Sequence, residues 1–169
     1  MTVRIVRYAD VADTAWPNGG GTTRLMWSDG SDGRRISIAT VKRPGAFSSL
    51  PGMLRTLVVL DPLLVGLEID HRPVELKRGD ILNFHGAQRV TLIALDQPGR
   101  VLNVMGRMDG WEPHVSRDPP RSALIGWVAA DAIPWNGRQL DRGDLVLGSA
   151  PPAGMLAIAF RPSATSTEL

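Results

Sequence analysis

Leu54-Arg55-Thr56-Leu57-Val58-Val59-Leu60 is a short run of β-branched and aliphatic residues that follows a Pro51-Gly52 turn and stops at Asp61-Pro62. A run this short, apolar and bounded by turn formers reads as a β-strand. Side chains alternate along a strand, so Arg55 shares a face with Leu57 and Val59. If that face lines the inside of a β-structure, the guanidinium needs an anionic partner, because a buried unpaired charge costs about 3–5 kcal/mol. The other reading is an edge strand with Arg55 in water.

The same pattern recurs on both sides of this run. Arg35–Val41, Leu64–Asp70, Arg89–Leu95, Arg100–Met105, Ser122–Val128 and Met155–Phe160 are all short, apolar or alternating, and flanked by Gly, Pro or Asp. No apolar stripe with helical spacing extends beyond a turn or two. The best helical candidate is a single turn at Ser48 to Leu54, which Pro51-Gly52 interrupts. The fold class expected is therefore all-β. Leu76-Lys77-Arg78-Gly79-Asp80-Ile81-Leu82 is echoed by Leu140-Asp141-Arg142-Gly143-Asp144-Leu145-Val146, a shift of 64 positions. Two similar β-barrel halves would leave this trace. The expected division is an N-terminal half over 1–107 and a C-terminal half over 108–169, with strands exchanged between the halves allowed. A linker is expected near Arg107 to Pro120, where Gly, Pro and charges cluster, and the tail from Pro162 is expected to fray.

Composition excludes several classes. The 169 residues contain no cysteine, so disulfides, thiolate nucleophiles and cysteine metal sites are ruled out. No apolar run reaches the roughly 20 residues of a membrane span. The alternating start, Met1 to Tyr8, is not a signal-peptide core, and cytoplasmic residence is the default expectation. The isoelectric point is near 9.7, yet formal charge is only +2, with 17 of the 19 basic residues being arginine. The arginines are scattered, with Arg34-Arg35 the one adjacent arginine pair and no aromatic-basic stripe. Nucleic acid is not expected as a partner. The three histidines, His71, His85 and His114, stand apart in the sequence. Glu68 and His71 would face opposite sides of a regular strand. No metal and no cofactor are therefore expected. Ser48 and Ser49 lie in a turn with no following helix, so no catalytic nucleophile is expected either.

Binding groups are better represented. Trp16-Pro17-Asn18-Gly19-Gly20-Gly21-Thr22-Thr23-Arg24 sets a ring and an amide on one side of a bare backbone, and two hydroxyls and a guanidinium on the other. It lacks the lysine and the following helix of a phosphate loop. It reads either as one wall of a binding site or as a strand-entry loop with Trp16 packed as a lid. Asn103, between Leu102 and Val104, shares a face with Val101 and Met105. It offers either an amide to a ligand or a satisfied structural contact. The expected ligand-binding set is Trp16, Asn18, Gly20, Gly21, Thr22, Thr23, Arg24, Arg55, Phe84, Asn103 and Met105. In it Arg55 receives a carboxylate, and Trp16 or Phe84 packs on the ligand's apolar part.

Five blocks carry a resemblance: Trp16-x-Asn18-Gly19-Gly20-Gly21-x-Thr23-Arg24, Arg35-Ile36-Ser37-Ile38-Ala39-x-Val41, Gly45-x-Phe47-Ser48-x-x-Pro51-Gly52-x-x-Arg55, Phe84-x-Gly86 and Leu102-Asn103-Val104-Met105-x-Arg107. In this order, over roughly residues 16 to 107, they resemble the HutD/Ves family of cupin-like proteins. The resemblance implies a bicupin, two small barrels packed together; barrels with exposed edge strands often dimerise, so a homodimer is an expected assembly. It also implies a role linked to histidine utilisation and a small acidic ligand of the urocanate or formylglutamate kind. On that reading the protein binds a carboxylate metabolite and governs the pathway without catalysis. The alternative is a metal-free cupin isomerase or lyase in which His85 moves protons. Three positions depart from the family pattern: Arg34, Val101 and Ala87.

Overall fold

The computed structural model describes residues 3–31, 33–118, 123–148 and 153–164. Among them the chain is built of antiparallel strands, numbered here in chain order. The largest sheet has six strands in the order β2 (Asp13–Ala15), β3 (Gly21–Ser28), β4 (Arg34–Val41), β11 (Gly99–Arg107), β6 (Met53–Val59) and β9 (Ile81–His85). A four-stranded sheet runs β5 (Gly45–Ala46), β10 (Val90–Leu95), β7 (Val65–Ile69), β8 (Arg72–Leu76). A five-stranded sheet runs β1 (Arg4–Val6), β16 (Leu145–Leu147), β13 (Leu124–Ala129), β17 (Met155–Pro162), β12 (Trp111–Ser116). A small hairpin, β14 (Ile133–Trp135) with β15 (Arg138–Leu140), completes the strands. The all-β expectation holds. Each sheet is open, ending in edge strands rather than closing on itself.

The six-stranded sheet is covered on both faces, which is why its strands read as nearly continuous apolar runs. Alternation sends Ile36, Ile38, Val58, Leu102 and Val104 to one face, where they pack with Val115, Val128, Leu145, Leu156, Ile158 and Phe160 of the five-stranded sheet. The other set, Ala39, Val41, Leu57, Val59 and Val101, packs with Val65, Leu67, Val90 and Leu92 of the four-stranded sheet. The far face of the five-stranded sheet holds a smaller cluster of Trp127, Ala129, Leu140, Val146, Met155 and Ala157.

Several local readings are corrected. Ser48 to Leu54 contains no helical turn; the turn of 3₁₀ helix lies at Tyr8–Asp10. Within the expected linker, Trp111–Ser116 form strand β12. Its Pro113 is tolerated because β12 is an edge strand. The chain from Pro162 is held at its start, with Ser163 N–H donating to the Gly110 carbonyl at 3.1 Å and its hydroxyl to the Met108 carbonyl at 2.7 Å. Residues 165–169, where the fraying was expected, lie outside the described residues. His71 is not on a strand either. Asp70 and His71 both have positive φ (47° and 67°) and form the β7–β8 turn, which brings His71 Nδ1 to 3.7 Å from Glu68.

The two Arg-Gly-Asp segments make equivalent turns. Gly79 and Gly143 both adopt positive φ, 84° and 95°. In each turn the aspartate carboxylate accepts from the backbone N–H three residues earlier, Lys77 for Asp80 and Asp141 for Asp144. The arginines then reach across the molecule. Arg78 pairs with Asp131 at 2.5 Å, and Arg142 pairs with both Asp131 at 2.8 Å and Asp61 at 2.9 Å. Among the described residues no helix is long and apolar enough to cross a membrane.

Candidate functional site

On the face of the six-stranded sheet that meets the four-stranded one, polarity changes along the strands. Reading β4 backwards gives Val41, Ala39, Ser37, Arg35. Reading β11 forwards gives Gly99, Val101, Asn103, Met105, and β6 backwards gives Val59, Leu57, Arg55. Cross-strand register aligns these gradients, pairing Val101 with Ala39 and Val59, Asn103 with Ser37 and Leu57, and Met105 with Arg35 and Arg55. The apolar end is covered by the smaller sheet. The polar end floors a cavity of about 420 Å³, within the usual range for small-molecule sites.

Two segments wall it. The first is the β2–β3 hairpin loop carrying Trp16, Pro17 and Asn18. Gly19 sits at φ 68°, and Gly21 lies so close to β4 that a Cβ would run into the Thr40 carbonyl. The Gly20 carbonyl accepts from Lys42 and Arg43 N–H at 2.8 and 3.2 Å, clamping the loop down. Asn18 Oδ1 accepts from Gly20 N–H at 2.8 Å, and Trp16 Nε1 donates to Thr23 Oγ1 at 2.8 Å. The second wall is Ala46 to Leu50, laid against β10 and tied at Phe47 N–H to the Val90 carbonyl and at Leu50 N–H to the Gly86 carbonyl. Phe47 meets Trp16 edge-to-face, ring centroids 6.1 Å apart.

Arg55 is 7% exposed. Its Nη1 donates to the Ser48 carbonyl at 3.2 Å, its Nη2 to Asn103 Oδ1 at 3.5 Å, and its Nε finds no hydrogen-bond partner. Its guanidinium lies over Phe84, 4.8 Å from the ring centroid, and 5.9 Å from that of Phe47. Among the described residues no carboxylate reaches it. Burial, and then the positive field of Arg35, pushes its pKa down to about 10. Other arginines of the protein are paired: Arg7 with Asp144, Arg34 with Asp29, Arg100 and Arg142 with Asp61. A second hollow of about 320 Å³ beside Tyr8 is lined by arginines of this paired kind.

Of the residues expected at the site, Trp16, Asn18, Thr23, Arg55, Asn103 and Met105 line the cavity. The rest do not. Thr22, Thr23 and Arg24 are consecutive on β3, so only the middle one can face inward. Thr22 lies opposite Thr40. Arg24 turns to the far face, donating to the Tyr8 and Val11 carbonyls at 2.7 and 2.8 Å and stacking over the Tyr8 ring. Gly20 and Gly21 shape the loop from behind. Phe84 is 5% exposed and supports Arg55 from the neighbouring strand without lining the cavity. His85, the proton carrier of the enzymatic alternative, is exposed and outside the lining.

Sequence reading missed Arg35, Ser37 and Phe47, all of which line the cavity. The signal was present in Arg35-Ile36-Ser37-Ile38-Ala39, where polar and apolar residues alternate. Of the three departures from the family pattern, Val101 is in the lining. Arg34 faces the opposite side of the sheet, 4.2 Å from the Trp111 ring centroid, and Ala87 is exposed.

The sequence profile of the HutD family matches residues 8–135. A Pseudomonas putida relative, an uncharacterized 21.2 kDa protein in the hutC 3′ region, is 29% identical over 109 residues, covering 61% of this chain and 57% of its own length. The chain thus spans a little over half of that relative. Among solved structures, HutD from Pseudomonas fluorescens SBW25 superposes with a TM-score of 0.82 at 20% identity, covering 96% of this chain and all of the other. A conserved protein of unknown function from Pseudomonas aeruginosa PAO1 gives 0.74 at 24% identity, covering 95% and 92%. At these identities the structural likenesses establish the fold.

Proposed function

The chain belongs to the HutD family, and from that premise we propose that it binds a small carboxylate metabolite in the cavity between Trp16 and Arg55 without transforming it. One observation carries the reading: Arg55 is buried at the cavity wall, charged at neutral pH, and has no carboxylate partner among the described residues. A ligand carboxylate would supply the missing anion through paired N–H···O bonds, which are among the stronger protein hydrogen bonds. Asn103 and Ser37 offer hydrogen bonds beside it, while Trp16 and Phe47 offer apolar faces. Among the described residues the lining contains no histidine, aspartate, glutamate or lysine. A proton-transfer reaction would have no obvious acid or base there, which favours binding over the isomerase or lyase alternative.

The bicupin reading fits this site. On that reading the six- and four-stranded sheets would form one half and the five-stranded sheet with its hairpin the other, and the equivalent Arg-Gly-Asp turns support a repeat. The family resemblance suggests urocanate- or formylglutamate-like acids and a governing role in histidine catabolism. Titration calorimetry with urocanate, formylglutamate, histidine and glutamate tests the reading. Saturable binding by an acid, lost in Arg55→Gln, is the expected result. Equal binding by parent and variant would remove Arg55 from the site.

A further inference from the structure

Arg55 is not the only cation facing this cavity. Arg35 also lines it, half-buried, and makes no ion pair or side-chain hydrogen bond among the described residues. Both arginines are register partners of Met105, one on each side. Their Cα atoms therefore stand two strand spacings apart, about 10 Å, on one face of the sheet. The lining contributes no negative charge to offset either. Arg55 is anchored at Ser48 and Asn103. Strand β11 lies between the two arginine-bearing strands and carries Met105 on their row and Asn103 on the adjoining row, where Asn103 is the register partner of Ser37 on β4.

Two cations held apart on one wall, with apolar Met105 between them and the neutral Asn103 and Ser37 alongside, match a ligand with two anionic groups separated by a short apolar spacer. Resting on the carboxylate reading of the cavity, we propose that the ligand is a short dicarboxylate, with one carboxylate on Arg55 and the other on Arg35. Arg35 is then the residue that selects dianions over monoanions. The mutual repulsion that helps depress the Arg55 pKa in the free protein is relieved when both carboxylates are bound. A compact dianion such as phosphate would concentrate its charge at one arginine and leave the other uncompensated.

The test compares acids of matched length on the full chain at low ionic strength by titration calorimetry: glutarate against pentanoate, succinate against butyrate, with inorganic phosphate alongside. The dicarboxylate is expected to bind about tenfold or more tightly than its monoacid, as an added charge-assisted hydrogen-bonded pair allows. Arg35→Gln should abolish that preference, bringing glutarate to the level of pentanoate, and Arg35→Lys should retain part of it. Equal affinity for glutarate and pentanoate in the parent would overturn the proposal and leave the monocarboxylate reading standing. So would phosphate binding as tightly as glutarate. If neither acid binds the parent, the carboxylate reading falls and the proposal with it. The parent comparison needs no variant, so the proposal stays testable even if Arg35→Gln fails to fold.

Discussion

Replacing Arg55 by methionine should make the free protein more stable while abolishing its response to carboxylates. The guanidinium is 7% exposed, and its pKa is pushed to about 10 from an ordinary value above 12. The folded state therefore disfavours the cation by roughly 3 kcal/mol relative to the unfolded chain. The sign is fixed by which state holds the proton more tightly. Here that is the unfolded state, so the penalty is fully present below about pH 10 and is relieved only above it. Methionine keeps an apolar stem against Phe84 and Phe47. It forfeits two long hydrogen bonds, to Ser48 and Asn103, and the cation–π contact at 4.8 Å. Those losses amount to about 1–2 kcal/mol. The balance is a gain of about 1–2 kcal/mol, worth roughly 3–6 °C in Tm for a chain of this size. Urea denaturation of parent and variant between pH 6 and 9 measures it, and the gain should not vary across that range. A variant that loses more than about 1 kcal/mol and keeps its stabilisation by glutarate would refute the reasoning. The charge would then be compensated within the protein.

Other substitutions separate structure from site. Arg24→Ala removes the bonds to Tyr8 and Val11 and should cost about 1–2 kcal/mol in denaturant unfolding. It should leave carboxylate affinity within about twofold; a tenfold loss would mean that Arg24 does face the cavity. Gly21→Ala drives a Cβ into the Thr40 carbonyl, should cost more than about 2 kcal/mol and should weaken ligand binding by lifting the Trp16 wall. Gly110→Ala, where a Cβ meets nothing within 4 Å, is the tolerated control, and equal stability of the two variants would contradict the packing. Burial alone would raise the Asp61 carboxyl, but hydrogen bonds from Arg100 and Arg142 outweigh it and hold the pKa below the ordinary value. That stabilisation is present above about pH 4 and is lost as pH falls through the folded pKa. Asp61→Asn should therefore cost about 2 kcal/mol near neutrality and flatten the acid limb of the stability profile. An unchanged acid limb would rule out Asp61 as its source.

The central strands were legible because both of their faces are buried. Arg35–Val41, Leu54–Leu60 and Arg100–Met105 stand within one or two residues of β4, β6 and β11. The short pieces were not. β1, β2, β5, β14, β15 and β16 have three residues or fewer and are held by their sheet partners rather than by their own propensity. The glycine-rich segment reads either as one wall of a binding site or as a strand-entry loop; from Gly21 onward it is strand β3, and strand alternation turns Thr22 and Arg24 away from the cavity. Arg55 and Asn103 could be placed on common faces with their neighbours from period two alone. Arg35 could not be assigned in the same way, because periodicity sorts residues into two sets without saying which set meets the cavity. That choice belongs to the layers packed above and below.

Those layers also explain why a cavity exists on one face of the central sheet. The five-stranded sheet lays Val115, Val128, Leu156, Ile158 and Phe160 on one face, which is apolar along its length from Ile36 to Ile38 and from Leu102 to Val104. On the other face the four-stranded sheet covers Val41, Ala39, Leu57, Val59 and Val101. The uncovered end is where the strands change from Ala39 to Arg35, from Val101 to Met105 and from Leu57 to Arg55. A polar end without a lid would simply be surface. The hairpin loop at Trp16 and the segment at Phe47 make it a pocket, and each depends on a glycine that lets backbone approach backbone, Gly21 at Thr40 and Gly86 at Leu50. Stability and recognition are thus divided along the length of the same three strands. Substitutions at Val59 or Val101 should therefore act mainly on folding, and substitutions at Arg55 or Arg35 mainly on binding.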